Sequence, residues 1–306
     1  MPRVSVVLAT HNQAVWLGEA IDGVRAQTFA DWELVVVDDG STDGTADVVR
    51  RYADDSRIRY LAQERAERSR ARNRGIAETS GELVAFLDAD DRWRPGKLAR
   101  QVAALDADAA AGLCYTVARF IGPEGEELPL RKPSGRPPSG DVFATLMRAN
   151  VVILASVVVR RAGLDAVGGF DPAAAMTGCE DWDLWLRLAQ RYPAVGIDEE
   201  LTLYRRHPGN TGSERVLGAA LHVVDRWYAE PDTARRVGLS RPAVRARQLW
   251  LNAAWAGDRG AALRLSLRAL REAPATIFTR PAAATAAALL LPRVALEALR
   301  AITPED

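Results

Sequence analysis

The chain has 306 residues, of which 48% are hydrophobic and 26% are charged, which is enough for one large domain with a smaller appendage. Its 40 Lys and Arg residues balance 40 Asp and Glu residues, so no basic excess favours a nucleic-acid partner. The two cysteines, Cys114 and Cys179, lie far apart and lack the spacing of a zinc or redox pair.

Short apolar runs alternate with amphipathic stretches over the first 105 residues. Strands are predicted at 4–8, 34–37, 58–61 and 83–87, and helices at 15–24, 46–52, 71–77 and 98–105. The run 34–37 is apolar at every position, as expected for a strand covered on both faces. The pattern therefore predicts an α/β fold with a mainly parallel sheet flanked by helices.

The regular alternation ends after residue 121. The segment 122–125 is a predicted hairpin turn, and the Pro-, Gly- and Ser-rich segment 132–140 is a predicted mobile loop. A strand at 156–159, a helix at about 181–191 and a strand at 201–204 complete a second, mixed half of the sheet. We expect a catalytic domain over residues 1–215.

Residues 216–306 are helical by composition and periodicity. Within them, segment 252–274 is predicted to form two helices joined at 257–258. We expect a helical C-terminal region that serves packing, homodimerisation or contact with a partner.

The sequence carries no sign of export. Met1 leads almost directly into an apolar strand without the features of a signal peptide. The late apolar stretch 282–291 is shorter than the about 20 residues that a membrane span needs. We expect a cytoplasmic protein, with peripheral contact at the inner face of the membrane left open.

Acidic residues follow two of the predicted strands. Asp38 and Asp39 end the second strand, and Asp88, Asp90 and Asp91 end the fourth. Open α/β folds bind ligands at the carboxyl edge of the sheet, so the two clusters should meet in one crevice. Asp88 and Asp90 would point to one side of an extended segment, where one reaches a ribose or base and the other a hard cation.

Some of these acids also have purely structural explanations. Asp38 or Asp39 could bond the turn backbone, and Thr42 or Asp43 could cap the next helix. Asp91 is predicted to cap the helix that follows it. Between the clusters, the basic stretch 69–75 contains Arg72, whose guanidinium is expected to reach the nucleotide, with a solvated surface as the alternative.

Taken in order, these motifs resemble those of family-2 inverting glycosyltransferases with a GT-A fold. The resemblance covers roughly the first 210 residues. It rests on the segments VSVV…THN at 4–12, VDDGS at 37–41, ARN-x-G at 71–75, DADD at 88–91, GGFD at 168–171, EDWDLW at 180–185 and YRRH at 204–207.

The resemblance implies a nucleoside-diphosphate sugar donor, with a uridine nucleotide favoured. It implies that Asp39 reads the base with Ala9 and His11 beside it, that Asp88 faces the ribose, and that Asp90 binds Mn²⁺ or Mg²⁺. Ala9 and His11 stand where the family often has Pro or Thr and then Tyr, so the nucleotide stays open.

The resemblance also implies that Asp181 is the general base, which takes the proton of the acceptor hydroxyl. Asp181 begins a helix whose dipole is expected to favour the ionised form and lower its basicity, and helix capping is the alternative role. Glu180 and Trp182 are expected on the acceptor side, with stacking on a sugar for Trp182 or a place in the core. His207, before a turn, is expected to bind the metal or the diphosphate.

Two other functions are compatible with parts of the sequence. A sugar nucleotidyltransferase shares the α/β pattern, but residues 10–13 lack its Gly-rich phosphate loop. A noncatalytic nucleotide-sugar module with a helical partner-recruiting tail is disfavoured because each expected catalytic position is filled. The acceptor is not encoded in any motif, and a saccharide, a lipid-linked glycan and a natural product stay open.

Overall fold

The predicted alternation of strands and helices is confirmed in the first 107 residues. The computed structural model describes residues 1–133, 135–210, 213–254 and 259–290. The first part contains β1 (Val4–Thr10), α1 (Ala14–Arg25), β2 (Trp32–Asp39), α2 (Thr45–Arg50), β3 (Ile58–Gln63), α3 (Arg68–Ala77), β4 (Leu83–Asp88), β5 (Arg92–Trp93) and α4 (Lys97–Ala107). Strand β1 pairs in parallel with β2 and β4, and β2 pairs in parallel with β3.

The second part of the sheet is mixed, as expected. It contains β6 (Leu113–Ile121), β7 (Glu127–Lys132), α5 (Phe143–Arg148), β8 (Val157–Arg160), α6 (Arg161–Val167), α7 (Glu180–Ala189) and β9 (Ala194–Arg205). The strand order is β3-β2-β1-β4-β8-β6-β9-β5, and β7 pairs with β6 as the predicted hairpin. Strand β8 runs antiparallel to β4 and β6, whereas β9 runs parallel to β6.

Strand β9 begins at Ala194, seven residues before the predicted strand at 201–204. Residues 137–140 of the Pro-, Gly- and Ser-rich segment lie beside it. Tyr115 donates a hydrogen bond to the carbonyl of Pro138 at 2.7 Å, and Gly140 pairs with Ala194. The predicted mobility of this segment stays a prediction.

The helical C-terminal region is confirmed. It contains α8 (Ser213–Trp227), α9 (Thr233–Val237), α10 (Arg241–Ala254), α11 (Arg259–Glu272) and α12 (Arg280–Leu290). Ala220, Val224 and Trp227 of α8 are buried in the same apolar cluster as residues of β4 and α7, so α8 packs directly on the core of the sheet. The predicted boundary at residue 215 stays a prediction, and the predicted turn at 257–258 lies outside the described residues.

Helices α10, α11 and α12 pack around a second apolar cluster. Its buried members include Leu249, Trp250, Ala269 and Ala282. Among the helices that the structure describes, none combines the length and the apolar character that crossing a membrane would require.

Candidate active site

The carboxyl ends of β1, β2 and β4 face a cleft of about 770 Å³. Open α/β folds bind their ligands in a crevice at this edge of the sheet. Of the ten residues expected in the site, Trp182 does not line this cleft. The other nine line it: Ala9, His11, Asp39, Arg72, Asp88, Asp90, Glu180, Asp181 and His207.

The two acids that end β2 have different surroundings. Asp38 accepts hydrogen bonds from the backbone N–H of Ser41 at 2.8 Å and from the hydroxyl of Tyr60 at 2.5 Å, so it stabilises the turn. Asp39 lines the cleft, and its Oδ1 accepts hydrogen bonds from Gln63 Nε2 and from the backbone N–H of Ala66, both at 2.7 Å. Asp39 is therefore the acid of this pair that can meet a ligand.

A glycine keeps the turn after Asp39 close to the next loop. Gly40 has a φ of +75°, and a Cβ there would lie 2.9 Å from the backbone nitrogen of Arg65. Beside the turn, His11 Nδ1 lies 2.9 Å from the carbonyl oxygen of Asp39. The backbone of this turn thus places His11 and Asp39 at one end of the cleft.

Three carboxylates gather at the end of β4. Oxygen atoms of Asp88, Asp90 and Asp91 lie within 4.8 Å of one another. His207 Nε2 is 2.9 Å from Asp90 Oδ2, and the His207 ring packs against Trp16 with a centroid distance of 4.2 Å. The structure therefore brings the two residues expected at a metal into direct contact.

Asp91 does not cap the helix after it, which corrects the sequence-based expectation. Helix α4 begins after Gly96, five residues farther on. The Oδ1 of Asp91 instead accepts the backbone N–H of Arg205 at 2.9 Å, which ties the acid cluster to the end of β9. Its Oδ2 is buried and has no hydrogen-bond partner among the described residues.

The acid cluster fits a divalent cation of the Mn²⁺ or Mg²⁺ type. Burial, and then the neighbouring Asp88, raise the pKa of Asp90, while His207 lowers it in part. Burial, and then Asp90 and Asp88, raise the pKa of Asp91 well above its usual range. A cation would offset this repulsion, and carboxylate oxygens are the ligands that hard divalent cations prefer.

Arg72 joins the two acidic sides of the cleft. Its Nη2 donates to Asp88 Oδ1 at 2.7 Å, and its Nη1 donates to Glu180 Oε1 at 2.8 Å. Burial opposes the charge of Arg72, but Asp88 and Glu180 outweigh it and raise the Arg72 pKa. Burial likewise opposes the charge of Glu180, yet Arg72 and Arg68 lower its pKa. Both ends of this guanidinium are therefore occupied by protein carboxylates.

Asp181 lies in the first turn of α7 and lines the cleft. Asn150 Nδ2 donates to Asp181 Oδ2 at 3.3 Å. Burial, and then the adjacent Glu180, raise the pKa of Asp181 to about 6. The expectation that Asp181 is less basic than an ordinary Asp is wrong, because burial raises its pKa by more than the lowering interactions reduce it. Asp181 also does not cap α7, whose capping position is Cys179.

Trp182 corrects a second expectation. Its side chain is buried in the core, 1% exposed, and its indole N–H donates to the carbonyl of Leu146 at 2.7 Å. It cannot stack on an acceptor in this position. Trp185, three residues on, is also buried, so this face of α7 packs against the sheet and Glu180 and Asp181 face the cleft.

Sequence reasoning missed a further set of cleft residues. Asn150 belongs to the connection after α5, and three more come from α10, in the C-terminal region: Gln248, Leu251 and Asn252. Polar amides at isolated positions form no motif, so the sequence carried no signal for them.

Comparison with solved structures gives the class of fold. The chain superposes on a mannosyltransferase from Pyrobaculum calidifontis, solved with GDP-Man and Mn²⁺, with a TM-score of 0.62, 21% identity, and coverage of 98% of this chain and 87% of that one. It superposes equally well on S. aureus TarS in complex with UDP-GlcNAc, with a TM-score of 0.62, 17% identity, and coverage of 99% and 89%. The fold is that of the GT-A glycosyltransferases, as the sequence predicted.

The family follows from sequence. Residues 5–161 match the family model described as Glycosyl transferase family 2, and the chain belongs to that family. An uncharacterized glycosyltransferase of Nostoc sp. is 30% identical over 220 residues, which cover 68% of this chain and 66% of the relative. The first four curated relatives are matched over 66% of their length or less.

Proposed function

We propose that the chain transfers a sugar from a nucleoside-diphosphate sugar to an acceptor hydroxyl with inversion, and that Asp181 is the general base. The observation that carries the proposal is that one cleft is lined by Asp181, by Asp39 and by members of a cluster of three acids that could hold a cation. Burial raises the pKa of Asp181 to about 6. A pKa near the working pH suits a general base, because the group is both ionised and basic there.

The surroundings of Asp39 favour uracil as the base of the donor. Asp39 Oδ1 already accepts two hydrogen bonds, which leaves Oδ2 for a ligand. Uracil presents one N–H on its pairing edge, whereas guanine presents two adjacent donors that call for both oxygens of a carboxylate. We therefore expect UDP to bind more tightly than GDP.

Asp90 and His207 would hold the cation, with Asp88 turned toward the ribose. When bound, Mn²⁺ or Mg²⁺ supplies positive charge that stabilises the leaving diphosphate. Arg72 fixes the orientation of Asp88 through its hydrogen bond at 2.7 Å, so Arg72 acts as a positioning residue.

The transfer exchanges one carbon–oxygen bond for another. The acceptor oxygen forms a bond to the anomeric carbon on the face opposite the diphosphate, and the bond from that carbon to the diphosphate oxygen breaks with its electron pair. Asp181 takes the hydroxyl proton as the new bond forms. Attack from the opposite face inverts the configuration.

The test is release of nucleoside diphosphate from UDP-glucose, UDP-GlcNAc and GDP-Man in the presence of Mn²⁺ and a panel of methyl glycosides as acceptors. We expect turnover by the wild type, and we expect Asp90→Ala to lose metal-dependent donor binding measured by calorimetry while keeping its melting temperature. Asp47→Ala, on the exposed side of α2, is the control and should bind the donor normally. Unchanged donor affinity in Asp90→Ala with Mn²⁺ present would contradict the assignment of Asp90.

A further inference from the structure

We propose that the face of α10 toward the cleft binds the acceptor and that this acceptor is an uncharged sugar ring. The inference rests on the proposed function of the cleft. It assigns to the C-terminal region a direct part in choosing the substrate.

Six residues form this part of the cleft, which we name the acceptor wall: Asn150, Val152, Val216, Gln248, Leu251 and Asn252. They come from the connection after α5 and from α8 and α10, and none comes from the strands that carry Asp39 and the acid cluster. The wall meets the proposed catalytic machinery at Asn150, whose amide donates to Asp181 at 3.3 Å.

The chemistry of the acceptor wall differs from that of the donor side. The donor side carries Asp39, Asp88 and Asp90 together with several arginines. The wall has three amides and three aliphatic side chains, and none of its six members is charged. Lys132, which also lines the cleft, lowers the pKa of Asp181, so these two charges offset each other. A neutral ligand therefore fits this side better than an anion does.

The amides of α10 are fixed in ways that leave acceptor oxygens for a ligand. Gln248 is 5% exposed, and its Nε2 donates to the carbonyl of Arg148 at 2.9 Å. Asn252 Nδ2 donates to the carbonyl of Gln248 at 3.0 Å. Among the described residues no donor reaches the side-chain oxygens of Gln248 and Asn252, which can accept hydrogen bonds from sugar hydroxyls.

The aliphatic residues complete the case for a ring. Leu251 and Val216 are partly buried against the core cluster, and Val152, whose backbone N–H donates to Asn150 Oδ1 at 3.2 Å, also lines the cleft. A sugar ring presents C–H groups on its faces and hydroxyls at its edge. Aliphatic side chains interleaved with fixed amide oxygens match both kinds of group, as ligand pockets commonly do.

The test separates acceptor binding from donor binding. Asn252→Ala removes one amide oxygen, and Leu251→Trp fills the space beside it. The probes are methyl β-glucoside and methyl β-glucuronide, with UDP-glucose and Mn²⁺ as donor and metal. We expect both variants to raise the KM for methyl β-glucoside at least tenfold, with kcat less affected, while the donor Kd and the melting temperature stay at the wild-type values. Leu263→Trp, on the exposed face of α11, is the matched control and should leave the KM unchanged.

The outcomes distinguish the inference from the proposed function. If the wild type releases no nucleoside diphosphate from any donor, the proposed function fails and the inference fails with it. If the wild type turns over and the wall variants keep its acceptor KM, only the inference is overturned. A higher kcat/KM for methyl β-glucuronide than for methyl β-glucoside would overturn the assignment of an uncharged ring.

Discussion

Asp181 combines a partly buried carboxylate with an acidic neighbour, and both features raise its pKa, to about 6. As a base it must be ionised, so kcat/KM for the acceptor should fall as the pH drops through about 6 and should level off above it. We expect a single descending limb on the acid side, measured by diphosphate release at saturating Mn²⁺. The Asp181→Asn variant should show no such limb. A wild-type profile that stays flat from pH 5 to pH 8 would exclude Asp181 as the base.

The Asn variant also separates catalysis from stability. Loss of a general base typically costs about 10²–10⁴-fold in rate, with the donor Kd unchanged. The folded-state pKa of Asp181 lies above its unfolded value, so ionisation of this group lowers stability as the pH rises from about 4 to about 6. Asn carries no charge, and the melting temperature of Asp181→Asn at pH 7 should therefore equal or exceed that of the wild type. A variant with wild-type turnover would leave Glu180, the neighbouring acid that lines the cleft, as the next candidate.

The sequence located the acids of the site more reliably than it described their surroundings. Asp39 and Asp90 follow apolar runs, and strand alternation alone places such positions at the carboxyl edge of a sheet. The pKa of Asp181 depends on what α7 packs against, which local sequence does not contain. The orientation of Trp182 also depends on that packing, because helical periodicity gives the relative phase of two residues and leaves open which face the core takes.

At the scale of elements, the pairs between Arg72 and two acids connect three parts of the fold. Arg72 belongs to α3, Asp88 ends β4, and Glu180 begins α7. Removing one partner of a buried ion pair leaves the other charge buried without a partner, which lowers stability by about 3–5 kcal/mol. We expect Arg72→Met to lower the free energy of unfolding in urea by an amount in this range. Arg70→Met, at an exposed position of the same helix, should change it little. Equal stability of the two variants would show that the bridge contributes nothing.

Element prediction succeeded where burial on both faces produced long apolar runs and failed where the sequence is mixed. Strands β1, β2 and β4 each contain an apolar run and are buried at all positions but one. The first half of strand β9 contains Gly196, Asp198, Glu199 and Glu200. These residues interrupt the apolar pattern by which a strand is predicted from sequence. That half is held by pairing with β6, a contact over about 80 residues of sequence that no local pattern reveals.

At the scale of the whole molecule, the C-terminal helices have two distinct sides. Residues of α8 share the core of the sheet, and α10 contributes to the cleft. Helix α11 contributes none of the cleft residues, and its Leu263 and Leu267 are exposed. The sequence predicted the helices through their periodicity, but the contact of α10 with the cleft depends on how separate helices dock. Homodimerisation through this region stays a prediction.

The outer face of α11 combines exposed apolar and basic side chains. Leu263 and Leu267 are 51% and 48% exposed, and Phe278, shortly after the helix, is 92% exposed. Arg264, Arg268 and Arg271 are exposed on the adjoining part of the helix surface. Side chains of these two kinds, next to each other on a helix, suit the interface of an anionic bilayer, which attracts basic residues by about 1 kcal/mol each. We therefore predict that this face makes the expected peripheral membrane contact.

We expect the protein to co-sediment with vesicles that contain phosphatidylglycerol and to remain largely in solution with vesicles of pure phosphatidylcholine. Replacing Arg264, Arg268 and Arg271 together by Glu should abolish the difference in binding between the two kinds of vesicle. The change turns the attraction to the anionic headgroups into repulsion. The control carries the same change of charge at exposed positions elsewhere, with Arg51, Arg70 and Arg191 replaced by Glu. Both variants have the same net charge. If binding depends on the face of α11, the α11 variant should lose vesicle binding and the control variant should keep it. Equal loss of binding in both variants would show that the attraction depends on the overall charge of the protein and not on this face. Equal sedimentation of the wild type with the two kinds of vesicle would contradict membrane contact through this face.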